Sequence, residues 1–493
     1  MSMFPWLSHW LSSKPSPAQS RRPVVHARYD AATTTEDNRR HWAQADGLSA
    51  NAANTASVRR TLRNRARYEV ANNSYAKGIV LTLANDLIGT GPRLQMLTSD
   101  QEANRRIEAA FHEWSAAIGL AAKLRTMRMA RATDGEAFGL LISNPRLAHP
   151  IQLDLRLVEA DQVTTPHLNP LAHGVDGIVL DAWGNPIEYH VLKHHPGDVP
   201  VGGLLDFDQV PAAGMIHWFR ADRPSQYRGI PDILPALPLF AQLRRFTLAV
   251  LAAAETAADF AGILYTDAPA SGEADSAEPF ESIELEKRAL VTMPGGWRMS
   301  QIEAQQPATT YREFKAEILN EIARCLNMPF NIAAANSASY NYASGRMDHQ
   351  VYFKSIRVDQ SQVARVVLDR LLAAWLDEAV LIPGLLPETS GTIATWRHTW
   401  FFDGQEHVDP QKEASAQATR LQSHTTTLAD EFARRGQDWE TQLRQRAKEL
   451  ALMRELGLPL DSGSSTPTET SPFPSAPSAS PEDPVDADPV SDE

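Results

Sequence analysis

The sequence predicts an α+β chain in which helices lead into a block of short strands and long helices then return. Three observations predict it. Apolar residues recur at helical spacing over Tyr68–Ile88 and again over Arg105–Leu124. Short apolar runs separated by Gly, Pro and Asn fill the stretch from Ala137 to Leu192. Beyond residue 237 long helical patterns resume, interrupted by one small strand-like insertion. At 493 residues and roughly 150 residues per domain, the chain is long enough for several parts. Its 43% hydrophobic and 22% charged residues exclude a wholly disordered or fibrous chain.

Element by element, residues 1–67 are polar and rich in Ala, Asn, Ser and Arg, and read as an extended arm. Val70, Tyr75, Ile79, Leu83 and Leu87 mark the first helix, stopped by Gly89-Thr90-Gly91-Pro92. Arg105–Leu124 is a second amphipathic helix. Strands are expected at Ala137–Ile142, Leu153–Val158, Gly177–Leu180 and Ile187–Leu192, with Gly184-Asn185-Pro186 as a turn. Residues 237–258 form a helix apolar nearly all round, its charges limited to Arg244, Arg245 and Glu255, so it must be packed on several sides. A strand at Phe260–Tyr265, an acidic loop over 267–284 and a hairpin over 290–302 follow. A helix over Thr310–Asn327 stops at Pro329, and a loop of small and polar residues covers Asn331–Gly345. Val363, Val367, Leu371 and Trp375 belong to a long helix. Asp409-Pro410 starts another helix, with Asp as N-cap and Pro in the first turn, and Asp438–Leu456 is the last, closed by Gly457. The remainder, rich in Pro, Ser, Thr and acids, cannot bury a core and is expected to be disordered.

Lys and Arg total 47 against 60 Asp and Glu, a formal net charge of −13, so bulk attraction to nucleic acid is not the function. The charge is uneven. Residues 1–67 carry a net +7 and residues 459–493 a net −8, which implies different surroundings for the two ends. The single cysteine, Cys325, excludes a disulfide framework and a cysteine zinc cluster. It lies on the apolar helix face of Phe314, Ile318 and Ile322 and reads as a buried, inert thiol. No apolar run approaches the roughly 18 residues of a membrane span, and Met1–Leu11 has no basic signal-peptide region, so a reducing cytoplasm is expected.

Enzyme chemistry finds little support. There is no Gly-x-x-x-x-Gly-Lys phosphate loop, no His-Glu-x-x-His and no Gly-x-Ser-x-Gly elbow. The histidines His149, His167, His173, His194 and His195 lack metal-ligand spacing and read as polar surface. Asp134-Gly135-Glu136 reads as a structural turn before a strand. No cofactor, metal or catalytic residue is expected.

Taken in order, several segments resemble the lambda-type portal proteins of tailed bacteriophages. They are Arg63-x-Arg65-x-Arg67-Tyr68, Asn72-Asn73-x-Tyr75-Ala76-x-Gly78, Asn85-x-x-Ile88-Gly89-x-Gly91 and Glu159-Ala160-Asp161-Gln162-Val163. Further along come Gly184-Asn185-Pro186-x-x-Tyr189-His190 and the most specific stretch, His217-x-Phe219-Arg220-x-x-Arg223-Pro224-x-Gln226-x-Arg228-Gly229-x-Pro231. Asn341-Tyr342-Ala343-Ser344-Gly345-Arg346 is similar to the family's Asn-Tyr-Ser-Ser-x-Arg, with departures at Ala343 and Gly345, and Asp409-Pro410-x-Lys412-Glu413 and Gly436-x-Asp438-Trp439 close the match.

The resemblance implies a ring homo-oligomer, most often a dodecamer, at the capsid vertex of the virion, assembled in the host cytoplasm. Double-stranded DNA would pass through it without sequence specificity. Partners would be the terminase large subunit, head-completion (connector) proteins and the major capsid and scaffold proteins, with no membrane. The arm would be 1–67, the α/β wing 68–236, the stem helices 237–258 and 310–328, the small β-containing clip 259–309, the channel loop 329–345, a long helix and wing return 346–409, the helical crown 410–457 and the acidic tail 458–493. A shell or tail protein, or a prophage DNA-processing enzyme, are the alternatives. The first would lack the two stem helices bracketing a β insertion, and the second would need a metal-carboxylate cluster.

Three sets of residues are singled out on that reading. The loop residues Asn331, Asn336, Ser337, Ser339, Tyr340, Asn341 and Tyr342 offer neutral hydrogen-bonding groups and aromatic faces for touching DNA without reading it. Glu313, Glu317 and Glu321, spaced by four on one helix face opposite Phe314, Ile318 and Ile322, would line the channel with negative potential. The competing reading pairs them with Arg244 and Arg245 of an adjacent stem helix. Arg244, Arg245 and Arg346 are expected to make subunit contacts.

Overall fold

The N-terminal elements are set by their caps. Glu36–Arg39 (α1) and Ala50–Ala53 (α2) are single turns capped by Thr35 and Ser49. Thr55 then caps Ala56–Asn72 (α3), and Asn73 both ends α3 and caps Ser74–Ile88 (α4), accepting from the amides of Tyr75 and Ala76. The expected single helix over 68–88 is therefore two. These elements come from a computed structural model that describes residues 35–166, 174–198, 206–258, 262–266, 297–301, 308–386, 396–404 and 410–458.

After Arg93–Met96 (β1), Gln101–Ala117 (α5) and Leu120–Asp134 (α6) are separated at Gly119, which holds φ +64, so the expected second helix is also divided. Glu136–Ser143 (β2) and Leu153–Val158 (β3) follow. Gly174–Val175 (β4), Ile178–Leu180 (β5), Pro186–Leu192 (β6) and Phe207–Pro211 (β7) make an antiparallel four-stranded sheet in that order. Met215–Phe219 (β8) joins β2 and β3 in a second sheet, ordered β3-β2-β8. Neither β7 nor β8 was visible in the strand pattern.

Leu237–Ala258 (α7) leads to Gly262–Thr266 (β9), which pairs antiparallel with Trp297–Gln301 (β10) before Ala308–Arg324 (α8). Trp297–Gln301 thus pairs with the first strand of the insertion. The 290–296 limb of the expected hairpin and the acidic loop lie outside the described residues. Phe330–Ala333 (α9), Tyr342–Val363 (α10) and Asp369–Ala379 (α11) follow, a one-turn π segment over Ala364–Leu368 joining the last two. His398–Phe401 (β11) returns to pair with β1. Pro410–Gln422 (α12), Leu428–Arg434 (α13) and Trp439–Glu455 (α14) end the described chain. The fold class is α+β, as the sequence predicts. The expected disordered tail and the first part of the arm lie outside the described residues.

The main core is helical and runs from α4 (Ile79, Leu83, Leu87) through Trp114, Trp218, Phe240, Ile322 and Tyr352 to Leu371 and Trp375. A smaller one, around Phe138, Tyr189 and Met215, lies between the two sheets. The long helix is tied to α4 by polar contacts as well: the Tyr352 hydroxyl donates to Asp86 at 2.7 Å and the Gln360 side chain to the Leu87 carbonyl at 3.1 Å. Among the described residues, 234–255 is the one helical stretch long and apolar enough to cross a membrane by composition. Its first half instead sits in the main core, with Leu237, Phe240 and Leu243 buried.

Candidate functional site

Residues 56–67, assigned to an extended arm by their polar composition, are a correction: they form most of α3, and α3 is held by buried arginines. Arg59 and Arg63 are 1% and 3% exposed. Arg59 pairs with Asp176, Arg63 with Asp161 at 3.0 Å, and Arg67 with Asp134 at 2.7 Å and Asp161 at 2.8 Å. The centre is Glu136, whose side chain is fully buried. It accepts from Arg228 Nη2 at 2.6 Å, from the Gly229 amide at 2.9 Å and from His217 Nε2 at 3.2 Å.

Burial alone would raise the Glu136 carboxyl, but the Arg228 guanidinium and the His217 hydrogen bond outweigh it and hold it well below the usual range. Burial lowers the Arg59 guanidinium to about 10 and pushes the His217 imidazole down, against the pull of Glu136. The expected structural turn at Asp134-Gly135-Glu136 is present, and Arg63, Arg67 and Arg228 of the quoted motifs are its counter-charges. Charge burial of this kind was not anticipated. The recurring arginines were its only sequence signal.

Beside this hub, Glu159, Asp161 and His195 bring ligand-type atoms within 4.8 Å of one another. Arg67 already stands among them, 2.8 Å from Asp161 and 3.4 Å from Glu159, so a cation is present in the group without a metal.

The helices flanking the β9–β10 pair form the second feature. Phe246 of α7 meets Phe314 of α8 edge-to-face at 4.8 Å and lies 5.5 Å from Tyr311. Toward the C-terminus of α8, Leu319, Ile322 and Ala323 enter the main core. Cys325 follows, half-buried, its thiol pushed up to about 11 by burial, which fits an inert thiol. The other end of the pair is uncovered: Leu248, Leu251 and Phe314 are 56%, 54% and 52% exposed. Phe314 therefore only partly follows the buried pattern of Ile318 and Ile322.

Glu313, Glu317 and Glu321 are all exposed on α8, and none has an ion pair among the described residues. Arg244 turns back onto its own chain, 3.4 Å from the Tyr68 hydroxyl and 5.7 Å from its ring centroid. It is thus engaged before any second copy arrives. Arg245 and Arg346 are exposed.

The third feature is the connection after α8, which is shorter than the predicted 331–345 loop. Asn331 is 7% exposed and bonded to His349 Nε2 at 3.0 Å, so it is not available to a ligand. Asn341 caps α10, its side chain accepting from the Ser344 amide at 2.8 Å while Ser344 Oγ accepts from the Asn341 amide at 3.3 Å. Tyr342 and Gly345 accordingly belong to the helix, and Arg346 sits in its second turn rather than at its start. What remains as loop is 334–341. Asn336, Ser337 and Ser339 are exposed there, Tyr340 is half-buried with its phenol pushed up by burial, and Ala335 adopts φ +49.

Residues 36–360 match the family described as "Phage portal protein, lambda family". The chain belongs to that family of portal proteins, and its role is structural rather than enzymatic. Relatives include the "Probable portal protein" of Halomonas phage phiHAP-1, 25% identical over 430 residues that cover 81% of this chain and 82% of the relative. "Portal protein B" of Escherichia phage lambda is 20% identical over 447 residues, 80% of this chain and 84% of its own. Among solved structures, a chain in the neck of an empty gene transfer agent particle, computed with C6 symmetry, is similar at TM-score 0.45 and 15% identity, covering 74% of this chain and 91% of that one. A chain from the native particle's neck, computed with C12 symmetry, gives TM-score 0.43 and 12% identity, covering 76% and 90%.

Proposed function

We propose that copies of this chain close into a ring, most plainly a dodecamer, at the capsid vertex of a phage-type virion. Double-stranded DNA passes through it during packaging and ejection without being read in sequence. The ring assembles in the host cytoplasm with capsid and scaffold proteins, docks the terminase large subunit for packaging, and later takes the head-completion proteins. In this reading 68–236 is the wing, α7 and α8 are the stem, the β9–β10 region belongs to the clip, and α12–α14 form the crown.

The observation that carries the proposal, in a chain of this family, is the α7–α8 pair. One copy covers only one end of it and leaves Leu248, Leu251 and Phe314 more than half exposed. An apolar surface of that kind marks an interaction site. The 334–341 loop supplies the contact with DNA, through Asn336, Ser337 and Ser339, which are neutral and exposed and so touch a phosphate backbone without gripping it. Electron microscopy of the purified full chain tests the proposal: rings with a central hole are expected, and discrete monomers, open tubes or closed shells refute it.

A further inference from the structure

We infer that the acidic face of α8 is a docking surface for α10 of the next copy, rather than a wall of the channel. The inference rests on the ring proposed above and assigns one of its contacts. The two helix faces are complementary in charge and in layout. Glu313, Glu317 and Glu321 sweep about 80° around α8, and half-exposed Phe314 stands about 20° further on, beside the acids rather than in the expected position opposite them. On α10, Arg346, Lys354 and Arg357 are exposed and lie within about 80° of one another. Among the described residues none of these three has an ion pair. Beside them on the next part of the α10 surface stand Met347, Val351 and Val358, 69%, 60% and 65% exposed.

Each helix thus presents a charged strip alongside an apolar one, and the signs are opposite. Glu313 to Glu321 and Arg346 to Lys354 are both eight residues apart, about 12 Å of helix. In an antiparallel pairing Glu313 therefore meets Lys354 and Glu321 meets Arg346, while Arg357 and the exposed Arg324 of α8 fall at opposite ends of the contact. An apolar seam edged by complementary charges is how helices select a partner and its orientation. A ring requires two different faces on each subunit, one meeting the other on the neighbour, and α8 with α7 on one side and α10 on the other supply such a pair.

The competing surroundings fit less well. Turned toward the channel, α8 would hold Phe314 in water beside the acids, and α10 would offer DNA three large apolar side chains next to its cations. A phosphate backbone has no counterpart for Met347, Val351 and Val358, whereas Leu248, Leu251 and Phe314 of a second copy do.

Charge reversal of the full chain tests the contact. The variants are E313K/E317K/E321K and R346E/K354E/R357E, followed by size-exclusion chromatography with light scattering and electron microscopy. Each triple variant alone is expected to lose the ring peak while keeping the native far-UV circular dichroism. Rings should return when the two variants are mixed in equal amounts, and when both sets are combined in one chain. If a triple change unfolds the subunit, the single pair Glu313→Lys and Lys354→Glu replaces it. Normal rings from either variant alone overturn the contact and leave the ring standing, as does failure of both repair arms. Normal rings from R346E/K354E/R357E that no longer retain DNA place α10 on DNA instead. A native protein that forms no ring refutes the ring itself.

Discussion

Replacing Glu136 with glutamine should loosen the joint between α3 and the β3-β2-β8 sheet by about 3 kcal/mol, since breaking a buried ion pair by removing one partner costs about 3–5 kcal/mol and glutamine retains the shape and one acceptor oxygen. The magnitude follows from what the carboxylate holds. It is fully buried, receives Arg228, Gly229 and His217, and lies 3.7 Å from Arg63, so its neutralisation strands two guanidinium groups that are 0% and 3% exposed. Segment-resolved hydrogen exchange reads the joint directly. At tenfold per 1.4 kcal/mol, exchange over 56–72 and 136–143 should accelerate about a hundredfold. Glu159→Gln is the control, because that carboxylate is 60% exposed and its ion pair is screened, giving a change within about 0.5 kcal/mol. The pH dependence has a definite sign. The Glu136 carboxyl is depressed in the folded chain, so its contribution is present above the ordinary value of 4.5 and is lost only as pH falls through the lower folded value. Indistinguishable exchange in the Glu136→Gln and Glu159→Gln proteins would refute the hub.

Other outcomes follow from single sites. Gly229→Ala would set a Cβ 2.0 Å from the Gly135 carbonyl oxygen, and the forced separation should cost about 1–3 kcal/mol in denaturant unfolding; an unchanged midpoint would count against the close approach. Glu108, which accepts from the Met96 amide at 2.7 Å, is pushed up to about 7 by burial and by the nearby Asp438 and Glu440. A raised carboxyl contributes stability below its unfolded value of 4.5 that is lost as pH rises through about 7, so protease resistance near α14 should fall between pH 5 and 8, and Glu108→Gln should flatten the profile. Asn341→Ala removes the α10 cap and should cost about 1 kcal/mol of helix stability, read by exchange over 342–348. Changing Asn336, Ser337 and Ser339 to glycine leaves that cap intact and should reduce DNA retained per particle while rings still form; normal DNA content would remove the loop from the channel.

Several elements could be read from residue spacing because their burial is apolar. The 237–258 helix and the Leu153–Val158 strand have the bounds expected, and Val363, Val367, Leu371 and Trp375 are all fully buried. Periodicity works there because every inward position is a hydrocarbon. It failed on α3, whose inward positions include Arg59 and Arg63: a pattern that counts arginine as surface cannot see a helix that buries it against carboxylates far away in sequence.

Distance along the chain explains the other differences. β1 is four residues long and gains its partner β11 only when His398–Phe401 returns beside it, so neither strand carried a local signal. Similarly, Asn341 and Ser344 were legible as polar residues, yet their mutual capping, which moved Tyr342 from loop to helix, needed the backbone direction set by α8, α9 and the Asn331–His349 bond. The sequence alone determined the α+β class, the paired long helices around a β insertion and the ordered motifs of the portal family, because these rest on local periodicity and on residue identity in order. Only the tertiary structure decided that Arg63 and Arg228 are buried counter-charges of Glu136, with Arg59 and Arg228 at Asp176, and that the α8 acids are exposed with no ion pair among the described residues. Electrostatic partnership depends on separation in space, which sequence order does not carry.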